Sequence, residues 1–431
     1  MLHTNLGINN EGNLTFAGHD TTKLAKEYKT PLYVLDEQRI REKCRIYTNA
    51  MKKHFGPKSQ PLYASKALSF KYIYGIMKEE GMSVDVVSGS EIYTAKEAGF
   101  PLENAYFHGN SKTDEEITFA IESGVGHFVA DCREELDAIS RIAGEKGITQ
   151  KILMRLTPGI DTHTYAAVKT GQVDSKFGTA IETGQALELT KYALSLPNIE
   201  LEGFHCHIGS QVFDGQTFCD SADIMLDYIA TVRKETGFCA SVLNLGGGYG
   251  VRYVESDPYL DIEASIESVA SHIKAKCEEF DVPMPVILME PGRSIVADAG
   301  LTLYTVGSVK TITGYKSYVS VDGGMTDNPR YALYGSKYTS CIANRANEVA
   351  DFECTIAGKC CESGDLIAEN VKLAKPERGD ILAVMVTGAY NYAMASNYNR
   401  IPRPAIVALS GDESKVVLRR ETYADVAKND L

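Results

Sequence analysis

The sequence lacks an excess of basic residues, a long apolar run and a paired-cysteine motif. Its 431 residues include 44 Lys and Arg against 57 Asp and Glu, a net charge of −13, which argues against nucleic acid or an anionic membrane as the main partner. No run of about 18 apolar residues occurs, and the N-terminus has no basic start followed by an apolar core. The ten cysteines are irregularly spaced without a CxxC pair, which indicates free thiols in a reducing compartment. We therefore expect a cytoplasmic protein without a membrane or nucleic-acid partner.

The region from residue 37 to residue 296 alternates short strand-like runs with longer amphipathic segments. Eight strands are predicted, at residues 61–65, 83–87, 105–108, 127–130, 151–156, 201–207, 241–245 and 285–289. This alternation is typical of βα units and a parallel sheet. Eight such units over about 250 residues predict a (β/α)8 TIM barrel, with an open doubly wound sheet as the alternative.

The segments between these strands have helical patterns. Helices are predicted at residues 90–98, 113–123, 133–143, 185–194, 218–234 and 262–280. Two of them carry capping signals, Thr113 with Glu116 and Asp131 with Glu134, because an acceptor side chain precedes a carboxylate by three residues.

After residue 296 the pattern changes to strand-like runs joined by glycine-containing turns, without helices between them. Strands are predicted at residues 303–309, 318–321, 352–357, 381–386, 405–409 and 415–418. We expect a second, mostly antiparallel β domain that the N-terminal residues join. The predicted domains are therefore a barrel at 37–296 and a β-rich domain made of 297–431 with 1–36.

Unusual polar residues follow most of the predicted barrel strands. Seven of the eight strand ends carry them: Lys66, Asp85, His108, Arg155, His205 with His207, residues 246–250, and residues 290–293. Active sites of (β/α)8 barrels lie at the carboxyl ends of the strands, so we expect these residues to surround one pocket. Lysines are usually solvated surface charges, but Lys66 has small neighbours in Ala64 and Ala67. We expect it to be partly desolvated, with a lowered pKa that suits Schiff-base chemistry.

Two motifs leave alternatives open. The glycines at 246–250 can cradle a phosphate with backbone N–H groups or form a flexible turn. A dinucleotide fingerprint would need glycine where Val251 stands. His205 and His207 share one face of a strand, as in metal-dependent hydrolases. The only later histidine is His272, so we expect no metal, with one of the two rings stacked on a flat ligand and the other packed in the core.

A set of short motifs runs through nearly the whole chain. They are Tyr63-Ala-Ser-Lys-Ala67, Asp85-Val-Val-Ser-Gly89, Phe107-His-Gly-Asn-Ser-Lys112, Ser175-Lys-Phe-Gly178, His205-Cys-His-Ile-Gly-Ser-Gln211, Leu245-Gly-Gly-Gly248, Glu290-Pro-Gly-Arg293, Asp322-Gly-Gly-Met-Thr-Asp-Asn-Pro-Arg330, Cys361-Glu-Ser-Gly-Asp365 and Gly388-Ala-Tyr390. The set resembles the fold-type III pyridoxal-phosphate (PLP) decarboxylases, and among them the diaminopimelate decarboxylases. This resemblance implies an alanine-racemase-like (β/α)8 barrel with a second β domain.

The resemblance also implies pyridoxal 5′-phosphate as the cofactor, with Lys66 as the amine that forms a Schiff base with it. His207 would stack on the ring, and Glu290 would face the pyridine nitrogen, where a carboxylate keeps that nitrogen protonated. The other residues implied to hold the phosphate and the ring are Ser210, Gly247, Gly248, Gly292, Arg293 and Tyr390. A racemase of this fold would have an arginine in place of Glu290, so the glutamate favours decarboxylation.

The substrate implied by the resemblance is meso-2,6-diaminopimelate, which would yield L-lysine and CO2 in the last step of lysine biosynthesis. Its distal carboxylate suits the planar fork of an arginine. The residues implied to bind the substrate are Arg293, Arg330, Tyr334, Tyr390 and, for the distal ammonium, Glu362. Cys361 would protonate the substrate carbon after CO2 loss, and the alternative for Cys361 is a buried thiol.

Two further readings stay in competition. A related decarboxylase of arginine, ornithine or a carboxylated polyamine is disfavoured by Arg330 and by the run that begins at Cys361. A regulatory relative without activity is disfavoured because Lys66, His207, Glu290 and Cys361 are all present. The resemblance further implies a homodimer in which Cys361 and Glu362 reach the partner's site. The loop at 161–176 is expected to act as a lid that excludes water.

Overall fold

A computed structural model describes residues 2–160 and 175–431, which form two compact units. The sheet unit contains Met1–Glu42, Val251–Pro258 and Arg293–Leu431, and the barrel unit contains Lys43–Gly250 and Tyr259–Gly292. The expected lid at 161–176 lies outside the described residues except for its last two positions. In the described ranges, no helix is long and apolar enough to cross a membrane. The predicted domain boundaries at 37 and 296 stay a prediction.

The N-terminal segment forms a small sheet followed by a buried strand and a long helix. Its elements are β1 Leu6–Ile8, β2 Leu14–Phe16, β3 His19–Asp20, α1 Thr21–Tyr28, β4 Leu32–Asp36 and α2 Glu37–Phe55. The first three strands are antiparallel neighbours. Helix α1 begins after Asp20, whose carboxylate accepts hydrogen bonds from the peptide N–H groups of Thr22 and Lys23. Every residue of β4 is buried, as expected of a strand inside a larger sheet.

Parallel strands close into a barrel in the barrel unit. The elements are β5 Gln60–Ala64, α3 Lys71–Glu79, β6 Ser83–Val86, α4 Gly89–Glu97, β7 Ala105–Phe107, α5 Asp114–Glu122, β8 His127–Ala130, α6 Arg133–Glu145, β9 Gln150–Thr157, β10 Thr179–Ala180, α7 Gln185–Ser195, β11 Ile199–His205, α8 Gly215–Thr236, β12 Val242–Asn244, α9 Ile262–Glu279 and β13 Val286–Met289. The ring runs β5, β6, β7, β8, β9, β11, β12, β13 and closes where β13 pairs with β5. The predicted TIM barrel is confirmed, and the open doubly wound sheet is excluded.

Apolar side chains from several strands fill the interior of the barrel. A buried cluster contains Leu62, Tyr106, Val129, Leu153 and Leu288. Burying each such side chain contributes about 1.5–3 kcal/mol. Strands β11 and β12 approach closely at Gly203, because a Cβ there would lie 1.9 Å from the carbonyl oxygen of Val242. This core holds the strand ends in a fixed ring, from which the polar side chains project.

The helices agree with the predicted pattern, and one of the two predicted caps is wrong. All six predicted helices are present, and Thr113 forms a capping box with Glu116 at the start of α5. At α6 the residue before the helix is Cys132, which makes no side-chain cap bond. Asp131 instead accepts the peptide N–H of Gly178 at 2.5 Å. The Asp131 carboxylate, which the local sequence pattern predicted to cap helix α6, therefore binds a distant peptide instead.

The sheet unit contains a nine-stranded sheet that includes the N-terminal strand β4. Its further elements are α10 Arg293–Val296, β14 Gly300–Ile312, β15 Lys316–Val321, α11 Arg330–Tyr334, β16 Ser340–Ile342, β17 Phe352–Ala357, β18 Leu366–Leu373, β19 Ile381–Met385, β20 Ala405–Ser410, β21 Glu413–Leu418 and α12 Tyr423–Ala427. The main order is β18, β17, β15, β14, β4, β20, β21, with β19 also paired to β14 and β16 to β19. Only β15 with β17 and β4 with β20 are parallel among these pairs, so the mostly antiparallel prediction is confirmed.

Some elements of the sheet unit were not predicted. Strands β16 and β18 are additional, and the prediction of no helices is wrong because α10, α11 and α12 are present. These helices have four or five residues each, too few to show a helical repeat. Strand β18 was hidden by its Glu369–Asn370 interruption, where Asn370 adopts a left-handed φ of 54°.

Candidate active site

The carboxyl end of the barrel holds a buried polar network around Glu290. This residue follows β13 and is 6% exposed. His108, after β7, places Nε2 2.9 Å from its Oε1, and His205, at the end of β11, places Nε2 3.2 Å from its Oε2. Asn244, at the end of β12, donates from Nδ2 to Oε1 at 2.7 Å and accepts the peptide N–H of Gly246 at 2.9 Å. Side chains from different strand ends thus converge on one carboxylate.

This network keeps the Glu290 carboxylate charged. Burial opposes ionisation, but His108 and His205 outweigh burial and hold the pKa of Glu290 well below its ordinary value. Burial lowers the pKa of His205 to about 4, so its ring is neutral at pH 7 and can donate a hydrogen bond. The site therefore contains a buried carboxylate that stays ionised.

The two histidines of the HxH motif have different surroundings. His205 faces Glu290, whereas Nδ1 of His207 accepts the peptide N–H of Gly247 at 3.3 Å. Strand β11 ends at His205, so the predicted common strand face does not extend to His207, and that prediction is wrong. One ligand atom each of His108, His205 and Glu290 lies within 4.8 Å of the others, and a hydrogen bond joins His205 to Glu290 within this cluster.

Lys66 lies in a short 3-10 turn, Ser65–Ala67, that directly follows β5. Its neighbours Ser65 and Ala67 are buried, but Lys66 is exposed. The lysine is thus the second residue after the buried strand, and its expected partial desolvation with a lowered pKa stays a prediction. Asp85, the neighbour of Ala64 across the β5–β6 pair, is 1% exposed, and burial raises its pKa.

The glycine run after β12 packs too tightly for side chains. A Cβ on Gly247 would lie 2.1 Å from the carbonyl oxygen of Glu290, and one on Gly248 would lie 2.7 Å from that of Gly209. Gly248 has a φ of 129°, a conformation that favours glycine. After the neighbouring strand β13, a Cβ on Gly292 would lie 2.9 Å from the Cβ of Ala64. Ser210 lies in the neighbouring turn and is partly exposed.

The sheet unit brings together most of the residues expected to bind substrate. Arg293 and Arg330 are 6% and 7% exposed. The guanidinium of Arg293 lies 4.7 Å from the ring centre of Tyr390, and that of Arg330 lies 5.4 Å from the same ring. Arg330 is also 4.9 Å from the ring centre of Tyr334. Arg293 donates from Nη1 to the hydroxyl of Tyr253 at 2.6 Å. Four predicted residues thus form one arginine–tyrosine cluster.

Cys361 and Glu362 lie on a separate loop of the sheet unit. Both residues are exposed, so the alternative of a buried thiol at Cys361 is excluded. The peptide N–H of Cys361 donates to Oδ1 of Asn399 at 2.7 Å. Glu362 accepts the peptide N–H of Gly364 through Oε1 at 3.1 Å. Two side chains of the predicted site are therefore directed to solvent in the single chain.

Comparison with known proteins decides the family. The family model for "Pyridoxal-dependent decarboxylase, pyridoxal binding domain" matches residues 37–297. The chain belongs to the pyridoxal-dependent decarboxylases. The diaminopimelate decarboxylase of Bacillus subtilis is 45% identical over 431 residues, covering 100% of this chain and 98% of the relative. That of Staphylococcus aureus is 43% identical over 423 residues, covering 98% of each. The predicted family is confirmed.

Solved structures of this decarboxylase family have the same fold as this chain. A diaminopimelate decarboxylase from M. jannaschii in complex with L-lysine is 34% identical, with a TM-score of 0.91 and coverage of 100% of this chain and 99% of that one. The Helicobacter pylori diaminopimelate decarboxylase complexed with L-lysine is 30% identical, with a TM-score of 0.85 and coverage of 95% and 98%. The predicted barrel with a β domain is thus a fold of this family.

The residues of the barrel mouth fit PLP. A protonated pyridine nitrogen needs a buried carboxylate that stays ionised, and Glu290 is held in that state by its donors. The sequence analysis missed Asn244, although it is a polar residue that ends a strand two positions before the first glycine of the run. Tyr253 was also missed, and its sequence surroundings carried no signal that separates it from other tyrosines.

Proposed function

We propose that the protein decarboxylates meso-2,6-diaminopimelate to L-lysine and CO2, the last step of lysine biosynthesis. The substrate proposal is carried by the two buried arginines that flank Tyr390, Arg293 and Arg330. Two guanidinium groups suit an amino acid with a second carboxylate, which ornithine and arginine do not have. Full-length similarity to diaminopimelate decarboxylases supports the same substrate.

PLP, when bound, supplies a ring that accepts the electron pair left on the substrate as CO2 departs. Lys66 would hold the cofactor through its amine, and His207 would contact its ring. Glu290 would keep the ring nitrogen protonated, because a buried carboxylate that stays ionised stabilises a positive charge beside it. The remaining proposed cofactor contacts are Ser210, Gly247, Gly248, Gly292, Arg293 and Tyr390.

The distal end of the substrate is bound by groups of opposite charge. Arg330 and Tyr334 bind the distal carboxylate, with Arg293 and Tyr390 beside them, and Glu362 binds the distal ammonium. Cys361 transfers its thiol proton to the substrate carbon from which CO2 has left. Burial of the two arginines supports this assignment, since a guanidinium removed from water binds a carboxylate more strongly than an exposed one does.

Product analysis tests the proposed substrate. The purified, PLP-loaded protein is given meso-diaminopimelate, arginine and ornithine in separate reactions, and lysine with CO2 is expected from the first alone. Arg330→Lys keeps the charge but loses the planar fork, so KM for diaminopimelate should rise about tenfold, with a smaller change in kcat. Arg345→Lys, at an arginine that pairs with Asp380, is the matched control. Turnover of a substrate with one carboxylate would overturn the proposed distal site.

The active form is proposed to be a homodimer in which Cys361 and Glu362 complete the partner's site. The exposure of both residues in the single chain supports this proposal. Co-expression of Lys66→Ala and Cys361→Ala chains tests it, because a mixed dimer would regain one intact site and measurable activity. Full activity from a stable monomer would contradict it. We also propose a cytoplasmic location, which the ten free cysteines support, and a division into domains at 37–296 and 297–431 with 1–36.

A further inference from the structure

A buried carboxylate holds the loop at residues 358–365, named the thiol loop here. Asp365 is 2% exposed. Its Oδ2 accepts the peptide N–H of Cys360 at 2.7 Å, and its Oδ1 accepts that of Met325 at 2.6 Å. Its backbone carbonyl accepts the N–H of Gly358 at 2.9 Å. One residue therefore closes the thiol loop and joins it to the segment that leads to Arg330.

Glycines make room for the Asp365 side chain. A Cβ on Gly358 would lie 2.2 Å from its Oδ2, and a Cβ on Gly324 would lie 2.4 Å from its Oδ1. Gly324 also has a φ of 156°, which side chains rarely adopt. The motif that begins at Asp322 and the motif that begins at Cys361 therefore meet at this carboxylate. Its packing explains why residues 324 and 358 are glycines, although neither is a proposed contact of the substrate or the cofactor.

A second side chain holds the next peptide of the thiol loop. Oδ1 of Asn399 accepts the peptide N–H of Cys361 at 2.7 Å. Asn399 has a φ of 51°, a left-handed conformation that asparagine, aspartate and glycine adopt more readily than other residues. Two consecutive peptide N–H groups are thus bound by side chains from two different segments, which restricts the orientation of both cysteines.

The two adjacent cysteines differ in their surroundings. Cys361 is exposed, and Cys360 is half-buried. Burial, followed by the negative charge of Asp365, raises the pKa of the Cys360 thiol to about 12. Since the thiolate is the nucleophile, a raised pKa makes this thiol less reactive near neutral pH. Cys360 is thus kept as an unreactive thiol beside the carboxylate that positions its neighbour.

We infer that Asp365 and Asn399 are positioning residues for Cys361. They fix the thiol loop so that Cys361 presents its thiol to the substrate, while Cys360 is held back next to Asp365. The inference rests on the proposed role of Cys361 as the proton donor. A proton donor must lie within hydrogen-bond reach of the atom it protonates, so its loop has to be fixed.

Site-resolved alkylation of the PLP-loaded protein tests the inference without turnover. Iodoacetamide is added between pH 7 and pH 10, each thiolate forms an S–C bond as iodide leaves, and peptide mass spectrometry gives separate rates for Cys360 and Cys361. In the unmodified protein Cys361 should react at least about tenfold faster than Cys360. Asp365→Asn removes the charge and one of two acceptors, so the Cys360 rate should rise about tenfold and the preference should shrink.

Substitutions at exposed Asn399 keep the inference testable if Asp365→Asn fails to fold. Asn399→Gly keeps the left-handed backbone and removes the acceptor, so kcat for diaminopimelate should fall about fivefold, with KM changed less. Asn399→Asp restores the acceptor and should recover most of that loss. Asn370→Gly, at another exposed asparagine with a left-handed φ of 54°, is the matched control and should match the unmodified protein.

The outcomes separate this inference from the proposed function. Equal alkylation of the two cysteines in the unmodified protein would overturn it, and so would an Asn399→Gly variant with unchanged kcat and unchanged alkylation rates. A protein that turns over another substrate would overturn the proposed function, yet the alkylation preference would still report on the thiol loop. Thermal unfolding of each variant shows whether a change is confined to the loop.

Discussion

A histidine–glutamate pair occurs at each end of the barrel, and the two pairs differ in their surroundings. At the carboxyl end, Glu290 is 6% exposed and is bound by His108, His205 and Asn244. At the amino end, Glu202 lies 2.8 Å from Nδ1 of His127. It also lies 2.8 Å from Nζ of Lys151, whose side chain is 48% exposed. The same types of side chain therefore form a buried site at one end and a site with a solvent-exposed lysine at the other.

The difference shows that surroundings decide what such a pair does. Lys151 is 48% exposed, so water weakens its ion pair with Glu202, and the pair contributes little stability. Glu290 is 6% exposed, and its two histidine partners keep its carboxylate ionised where a ring nitrogen would need it. This division agrees with (β/α)8 barrels in general, where the carboxyl end carries the chemistry and the amino end carries stability. Matched substitutions at the two ends test it.

The largest contrast is expected between the lysines. Lys66→Ala should lower the rate of decarboxylation by about 10³-fold or more, because no other amine takes its place at the end of β5. It should also abolish the absorbance of covalently bound PLP. Lys151→Ala, the matched change at the amino end, should leave both unchanged. Lysine formation and the cofactor spectrum are the measurements, and unchanged turnover in Lys66→Ala would exclude the covalent mechanism.

The second contrast concerns the two glutamates. Glu290→Gln removes the fixed charge but keeps the shape, so kcat should fall about 10²-fold while PLP still binds. Glu202→Gln should leave kcat unchanged. Steady-state kinetics of both variants, with PLP occupancy measured by absorbance, checks the prediction. Equal losses of kcat in Glu290→Gln and Glu202→Gln would mean that the burial of Glu290 has no special role in catalysis.

The sequence predicted the barrel and the order of its strands because buried parallel strands leave apolar runs separated by helical repeats. It also predicted that Glu290 follows the end of a strand. It did not predict the partners of Glu290, because the convergence of His108, His205 and Asn244 depends on ring closure between strands far apart in sequence. The hydrophobic periodicity of a strand predicts which of its side chains are buried. It does not predict which side chains from different strand ends contact the same atom.

The exposure of Lys66 and the thiol loop were missed for a different reason. Both depend on short turns. The 3-10 turn at Ser65–Ala67 moves the lysine out of the strand. In the thiol loop, Asp365 accepts the peptide N–H of Met325, forty residues before it, and that of Cys360, five residues before it. The glycines that admit Asp365 were visible in the sequence, but a glycine marks only that space is needed. What occupies the space is decided by tertiary packing.

The third contrast is in the pH dependence of stability. The pKa of His205 is about 4 in the folded protein and about 6.5 when unfolded. Below pH 6.5 the unfolded chain therefore binds a proton that the folded chain does not, and stability falls towards pH 4 by up to about 1.4 kcal/mol per pH unit. His205→Gln keeps an N–H donor towards Glu290 without this titration. Urea unfolding at pH 7, 6, 5 and 4 should show a shallower decline in this variant.

The control for that experiment is His127→Gln at the amino end. His127 is half-buried and, unlike His205, shares its glutamate with a lysine. This variant keeps the His205–Glu290 pair, so a decline that it shares with the unmodified protein and that His205→Gln lacks is assigned to the buried ring of His205. A decline in His205→Gln as steep as in the unmodified protein would show that the buried ring is not the source of the pH dependence.

The smallest effect is expected for Lys151→Met, which breaks the exposed ion pair and keeps the length of the side chain. The free energy of unfolding should fall by less than about 1 kcal/mol, because water screens the pair and His127 remains bound to Glu202. Raising the salt from 0.1 M to 1 M shortens the screening length from about 10 Å to about 3 Å, so the difference should nearly vanish. Urea unfolding at both salt concentrations measures it. A loss above about 2 kcal/mol that salt does not change would mean that Glu202 behaves as a buried charge. Solvent screening would then be similar at the two ends of the barrel, and only their chemistry would differ.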